Sequence, residues 1–240
     1  MSPRQPTILM YHAVTRVDRD PNRLCVPPEM FEEQMAYLSR RGLRGVSVGE
    51  LLGSGVGGRG LVGITFDDGY QNVLDEALPI LEGYGFTATT FVVVGRLGGE
   101  NDWEHSFEPR PPMRLMGPDA IAEIARRGVE IGAHSMTHPR LSGLDAGRLQ
   151  DEVRGCRESL VSVLGAEPAG FCYPYGDLDP EAVRAVRSAG YRYACAWKTR
   201  VEYNDYDLFR TPVDHRDGPL RFRTKLSIYP QYARVTRAIK

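Results

Sequence analysis

Short apolar runs alternate with segments of helical period along most of this chain. Thr7 to His12 is the first run. After a loop, Pro28 to Arg41 carries Phe31, Met35 and Leu38 at i, i+4 and i+7, and Gly42 ends that helix. Leu61 to Phe66 reads as the next strand, with Val73, Ala77 and Leu81 marking its helix. Ala88 to Val94 follows, then a long loop to Met116 and a helix from Pro118 to Arg127 stopped by Gly128. Glu130 to Ala133 is a strand, and Leu149, Val153, Cys156 and Leu160 mark a helix closed by Gly165. Gly170 to Tyr173 is a strand, and Asp179-Pro180 supplies the N-cap and first-turn proline of a helix ending at Gly190. Tyr193 to Trp197 and Leu208 to Val213 complete the strands. Six or seven strand–helix units predict an α/β fold with a parallel sheet. Their number suits a closed barrel better than a two-fold open sheet.

The length of 240 residues fits a single domain with a core from about residue 7 to 226. Lys+Arg (30) nearly balance Asp+Glu (31), so no global field favours nucleic acid. The apolar runs are strand-sized, which argues against stable membrane insertion. Only Met1 to Pro6 precede the first run, with no signal-peptide pattern, so a cytoplasmic location is expected. Cys25, Cys156, Cys172 and Cys195 show no metal-knuckle spacing and read as reduced, mostly buried thiols. Gly55 to Gly60 matches G-x-G-x-x-G but precedes a strand, so it is a flexible loop and not a phosphate cradle. From Arg216 to Lys240 there are seven basic residues and one acid, which predicts a solvated basic tail.

Polar residues gather where the strands end. His12, Asp67, Asp68, His134 and Tyr175 all lie at or just past the C-terminal end of a predicted strand, the face on which α/β barrels carry active sites. Thr65-Phe66-Asp67-Asp68-Gly69 ends a strand in adjacent carboxylates, which reach one site only if the chain turns there; alternatively, one of them caps the next helix. His134-Ser135-Met136-Thr137-His138 places two imidazoles on one face if the segment coils into a helical turn. With Asp68 they would make a three-ligand set for one divalent cation. Phe171 to Gly176 ends a strand in a Pro-aromatic-Gly turn that can present a backbone N–H and a ring. Trp103, Glu104 and His105 lie in the long loop after Val94, which is expected to border the cleft.

The trio T-F-D-D-G, H-S-x-x-H and Y-P-Y-G, in this order, resembles the NodB-homology polysaccharide deacetylases (carbohydrate esterase family 4), from Ile8 to about Leu226. The resemblance implies a deformed (β/α)7 barrel. It makes Asp67 the base, Asp68, His134 and His138 the metal ligands, and the backbone N–H of Tyr175 an oxyanion donor. The expected activity is hydrolysis of an N-acetyl group on an amino sugar or glycoconjugate, through a water on the cation. Zn²⁺ is the first choice of metal, and Co²⁺ or Ni²⁺ also suits an O,N,N set. Two departures stand out. Cys172 occupies the place of an arginine that orients the base, with Arg210 a candidate substitute. No Leu-x-His strand supplies the acid; His12 fits the pattern of the branch with an early Tyr-His, as in biofilm poly-N-acetylglucosamine deacetylases, and His215 is the other candidate. O-deacetylation of a carbohydrate, a sugar-binding protein with an inactive barrel, and amide hydrolysis of a small non-sugar metabolite are the remaining readings.

Overall fold

A computed structural model describes residues 6–55, 58–103, 113–197 and 205–227. In chain order the elements are β1 (Ile8–Tyr11), β2 (Ala13–Val14), β3 (Cys25–Val26), α1 (Pro28–Arg40), β4 (Arg44–Val46), α2 (Val48–Gly53), β5 (Leu61–Phe66) and α3 (Leu78–Gly83). There follow β6 (Thr89–Val92), α4 (Pro118–Arg126), β7 (Glu130–Ala133), α5 (Ala146–Gln150) and α6 (Cys156–Leu164). The last are β8 (Gly170–Cys172), α7 (Pro180–Ser188), β9 (Tyr193–Ala196), β10 (Leu208–Phe209), β11 (Thr211–Pro212) and a helix over 219–227.

The main sheet is parallel, in the order β10-β9-β8-β7-β6-β5-β1-β11, with β4 added beside the start of β5. β10 pairs with β9, β11 pairs with β1, and a single residue, Arg210, separates β10 from β11. The segment 208–212 therefore bridges the two ends of the sheet, giving the (β/α)7 ring that the motifs implied. Short β-branched and aromatic runs such as Leu61–Phe66 suit this arrangement, because barrel strands are covered on both faces. The interior is filled by side chains that include Phe91, Cys172 and Cys195, with the helices sealing Phe31, Leu38, Ile121, Ile124, Leu160 and Val186 outside it. All four cysteines are free and buried.

The β4–α2 unit and the small β2–β3 sheet are additions to the sequence expectation. β4 is three residues long and one of them is glycine, too short for a period to register. The basic C-terminal segment also departs from a solvated tail. Through residue 227 it is a helix whose Phe222 is buried against Tyr37 of α1, with ring centroids 6.2 Å apart. Residues 228–240 lie outside the described set. Among the described residues, no helix is long and apolar enough to cross a membrane.

Candidate active site

Each strand end delivers its polar residue to one cleft of about 540 Å³. Its lining includes His12, Asp67, Asp68, His134, His138 and Tyr175, so every expected site residue is brought together there. Trp103 also lines it, as expected of its loop, whereas Glu104 and His105 lie outside the described residues.

The two adjacent aspartates face different partners because the chain reverses at Asp68, whose φ is +73°, followed by Gly69 at +80°. Asp67 turns into the barrel and meets Arg210 in a forked ion pair, Nη1 to Oδ1 at 2.6 Å and Nη2 to Oδ2 at 2.8 Å. Arg210 is only 1% exposed. It also donates to Thr65 Oγ1 (3.0 Å) and to the Cys172 sulfur (3.0 Å). Burial alone would raise the Asp67 pKa, but the Arg210 guanidinium outweighs it and holds the carboxyl below its ordinary value. The arginine absent at Cys172 is thus supplied from the closing strand, and Cys172 is small enough to let it in.

Asp68 turns the other way. Its Oδ1 lies 3.5 Å from His134 Nε2 and 3.4 Å from His138 Nε2. Neither aspartate serves as the helix cap that was the alternative reading. The His134 Nδ1 sits 2.8 Å from the Cys172 carbonyl oxygen, which places a proton on Nδ1 and turns Nε2 toward Asp68. His138 Nδ1 has no hydrogen-bond partner among the described residues, and its ring packs in a tilted contact with Trp103 (4.5 Å) and edge-on with Tyr175 (4.7 Å). These donors fit a cation: one carboxylate oxygen and two imidazole nitrogens, all buried and within 4.8 Å of one another. Asp67, His134 and Cys172 form a second compact group. It is the poorer set, because Asp67 is committed to Arg210 and burial pushes the Cys172 thiol pKa up, away from the thiolate a metal needs.

The histidine pair does not sit on a helical turn. Ser135 (φ +65°) and His138 (φ +66°) adopt left-handed backbone, and the His138 N–H donates to Ser135 Oγ at 2.9 Å. A helix would point the rings along the strand; the left-handed bend folds His138 back over the strand end. Glu152, which the sequence reading passed over, holds this bend. Its carboxylate accepts from the Met136 and Thr137 amides (both 2.9 Å) and from Thr137 Oγ1 (2.5 Å). An acid on an amphipathic helix looks like a solvent-facing residue, and nothing in its spacing says otherwise. Tyr175 is also left-handed (φ +58°), and its carbonyl accepts from Trp197 Nε1 at 2.8 Å.

The rival histidines are separated clearly. β1 pairs with β11, so His12 emerges beside the closing strand, with Nε2 4.0 Å from Asp67 Oδ2. Burial lowers its pKa, against the opposing pull of Asp68 and Asp67. His215 does not line the cleft; its Nδ1 lies 3.2 Å from Asp20 Oδ2 and its side chain is 40% exposed.

A parallel barrel with a buried carboxylate–guanidinium pair and a carboxylate–bis-imidazole cluster on its C-terminal rim carries a hydrolase-type site. The chain belongs to the polysaccharide deacetylase family, whose model matches residues 55–194, more than half of the chain. Among curated proteins, YxkH of Bacillus subtilis (strain 168) is 28% identical over 211 residues, covering 86% of this chain and 70% of that protein. The poly-beta-1,6-N-acetyl-D-glucosamine N-deacetylase of Staphylococcus aureus (strain MRSA252) is 22% identical over 200 residues, covering 77% of this chain and 66% of its own length. The fold is shared with the Streptococcus pyogenes deacetylase PplD, at a TM-score of 0.78 and 20% identity, over 93% of this chain and 99% of that one. His12 and Arg210 lie outside the segment matched by the family model.

Removing the anchor of the histidine bend gives a direct test. Glu152→Ala leaves the Met136 and Thr137 amides without their acceptor, on a half-buried and an exposed residue, and should cost about 1 kcal/mol of stability. Amide hydrogen exchange at Met136 and Thr137 should speed up selectively; unchanged protection there would mean that Glu152 does not hold the bend.

Proposed function

We infer that the chain is a metal-dependent N-deacetylase that removes the acetyl group from an N-acetylated amino sugar or glycoconjugate. One observation carries this reading: adjacent carboxylates in a single cleft are split between two tasks, Asp67 held by Arg210 and Asp68 facing His134 and His138. The activity of the staphylococcal relative, N-deacetylation of poly-beta-1,6-N-acetyl-D-glucosamine, supports the choice of amide over ester.

Asp68, His134 and His138 would hold a divalent cation, which would supply Lewis acidity toward the acetyl carbonyl and lower the pKa of water; Zn²⁺ is the first choice, with Co²⁺ and Ni²⁺ suited to the same donors. Asp67, kept ionised by Arg210, takes a proton from the attacking water. Arg210 fixes both carboxylate oxygens, so Asp67 holds one orientation through the step. The backbone N–H of Tyr175 donates to the carbonyl oxygen as charge grows on it. His12, 4.0 Å from Asp67, passes on to the departing amine nitrogen the proton that Asp67 has taken from water, so it needs no standing charge of its own. Acetate and a free amino sugar leave.

Chelation should abolish deacetylation, and Zn²⁺ or Co²⁺ should restore it. Asp67→Asn should retain the metal by elemental analysis while losing turnover by roughly 10²–10⁴-fold. Full activity in metal-stripped protein would sink the proposal.

The acid assignment has its own test. His12→Ala should lower kcat on an N-acetyl sugar by roughly 10²–10⁴-fold, and much less on an activated acetyl ester, whose leaving group needs no proton. His215→Ala should retain near-normal turnover. The reverse pattern would restore a C-terminal acid.

Metal affinity should depend on pH in a definite direction. Burial pushes His138 down to about 4, so it is neutral and ready to ligate at pH 7. Burial also disfavours charge on His134, but Cys172 and the Asp68 carboxylate outweigh it and raise the pKa well above the ordinary value. Protonated His134 therefore competes with the cation below that raised pKa. Apparent affinity should climb with pH by about tenfold per unit while one proton is displaced. Competition against a chromophoric chelator between about pH 6 and 8 measures this slope, and a flat profile would argue against His134 as a ligand.

A further inference from the structure

The chain as a whole is nearly neutral, at −1, yet its cleft is not. Beyond the two aspartates of the site, the cleft wall carries five cationic side chains and one further carboxylate, Asp214. Two of the cations, Arg23 and Arg140, make no ion pair with any described residue, and both are exposed.

Each of these two is positioned by structure. Arg23 sits in left-handed backbone (φ +57°) in the loop before β3. Asp20 pins that loop by accepting from the Leu24 amide (3.1 Å) and the Cys25 amide (2.8 Å), and its remaining charge faces His215 at 3.2 Å. The Asp20 carboxylate is thereby occupied, and Arg23 has no ion-pair partner among the described residues. The guanidinium carbon of Arg140 lies over the Tyr175 ring, 4.5 Å from its centroid, so a cation–π contact holds this side chain against the cleft wall. On the far wall, Arg216 is matched by Asp214. Arg221 and Lys225, one helical turn apart, must share Asp217, at 2.8 and 2.5 Å. The walls thus hold a surplus of positive charge that ion pairing among the described residues does not cancel.

We propose that this cleft selects N-acetylated sugars bearing an oxyanion, a phosphate ester or a carboxylate, close to the acetamide, with Arg23 and Arg140 as the specificity-determining residues. The guanidinium fork matches either group through paired charge-assisted hydrogen bonds, which a neutral sugar cannot form. This rests on the deacetylase reading of the cleft, and deepens it.

Binding tests it separately from turnover. In the Asp67→Asn chain, with and without added Zn²⁺, calorimetry compares N-acetylglucosamine 1-phosphate, a disaccharide of N-acetylglucosamine and glucuronate, and neutral methyl N-acetylglucosaminide. At least one charged sugar should bind roughly 10–100-fold tighter than the neutral one, and which of the two does so separates phosphate from carboxylate. The preference should shrink with added salt and collapse in the Arg23→Gln/Arg140→Gln double variant; both positions are exposed, so the fold should survive, as circular dichroism would verify. Equal affinity for all three sugars would overturn the proposal. So would a preference that persists in the double variant, since the cation would then be holding the anion. If the preference is present but the unaltered chain hydrolyses none of the three, the deacetylase reading falls while the anion selectivity stands.

Discussion

The ion pair between Arg210 and Asp67 is the constraint around which this barrel is built. Both groups are buried, and each would be costly to bury alone. Their forked geometry, with Thr65, Cys172 and the Ala196 carbonyl taking the remaining guanidinium N–H groups, offsets that penalty. The pair also ties three strands together at the level of the cleft: the closing segment, the end of β5 and the end of β8. Closure of the ring and orientation of Asp67 are therefore one interaction. The small Cys172 makes room for it, and its backbone carbonyl sets the proton position on His134.

Around that fixed point the cleft is lined by unusual backbone. Asp68, Ser135, His138, Tyr175 and Arg23 are the non-glycine residues with positive φ among those described, and four of the five line the cleft while Ser135 lies within the histidine bend. Such conformations cost on the order of 1 kcal/mol each, and persist where surrounding bonds leave no alternative. Here those bonds are identifiable: Glu152 under the bend, Trp197 on the Tyr175 carbonyl, and Asp20 around Arg23. The side chains are held in place by the scaffold before any ligand arrives.

How much was legible in the sequence follows from these features. The strand ends were readable because Leu61–Phe66 and Glu130–Ala133 are apolar runs closed by polar residues, and the family motifs begin there. Asp179-Pro180 marked its helix because the Asp179 carboxylate does accept from the Ala182 amide. The bend at His134–His138 was misread as helical because H-x-x-x-H spacing is silent on backbone handedness, which three hydrogen bonds to a residue fourteen positions beyond His138 decide. The C-terminal helix was hidden by composition: its basic residues suggested solvent, while Phe222 alone reports the packed face. Arg210 could be suspected only because the family's arginine was missing at Cys172; its depth in the barrel is a product of topology.

Topology also sets an order of events. Asp67 and Arg210 are separated by 143 positions in the chain. During synthesis, β1 and β5 to β9 can associate while the ring is still open, but Asp67 then has no counter-charge, and β9 and β1 present raw edges. Non-local pairings of this kind form late, because loop closure must be met before they reward it. The strand 208–212 therefore works as a latch: its arrival covers both edges and neutralises the buried carboxylate in a single step. A chain that lacks it holds an unpaired charge in its core, so a partly made barrel is disfavoured and the Asp67–Arg210 pair is completed only when the fold is.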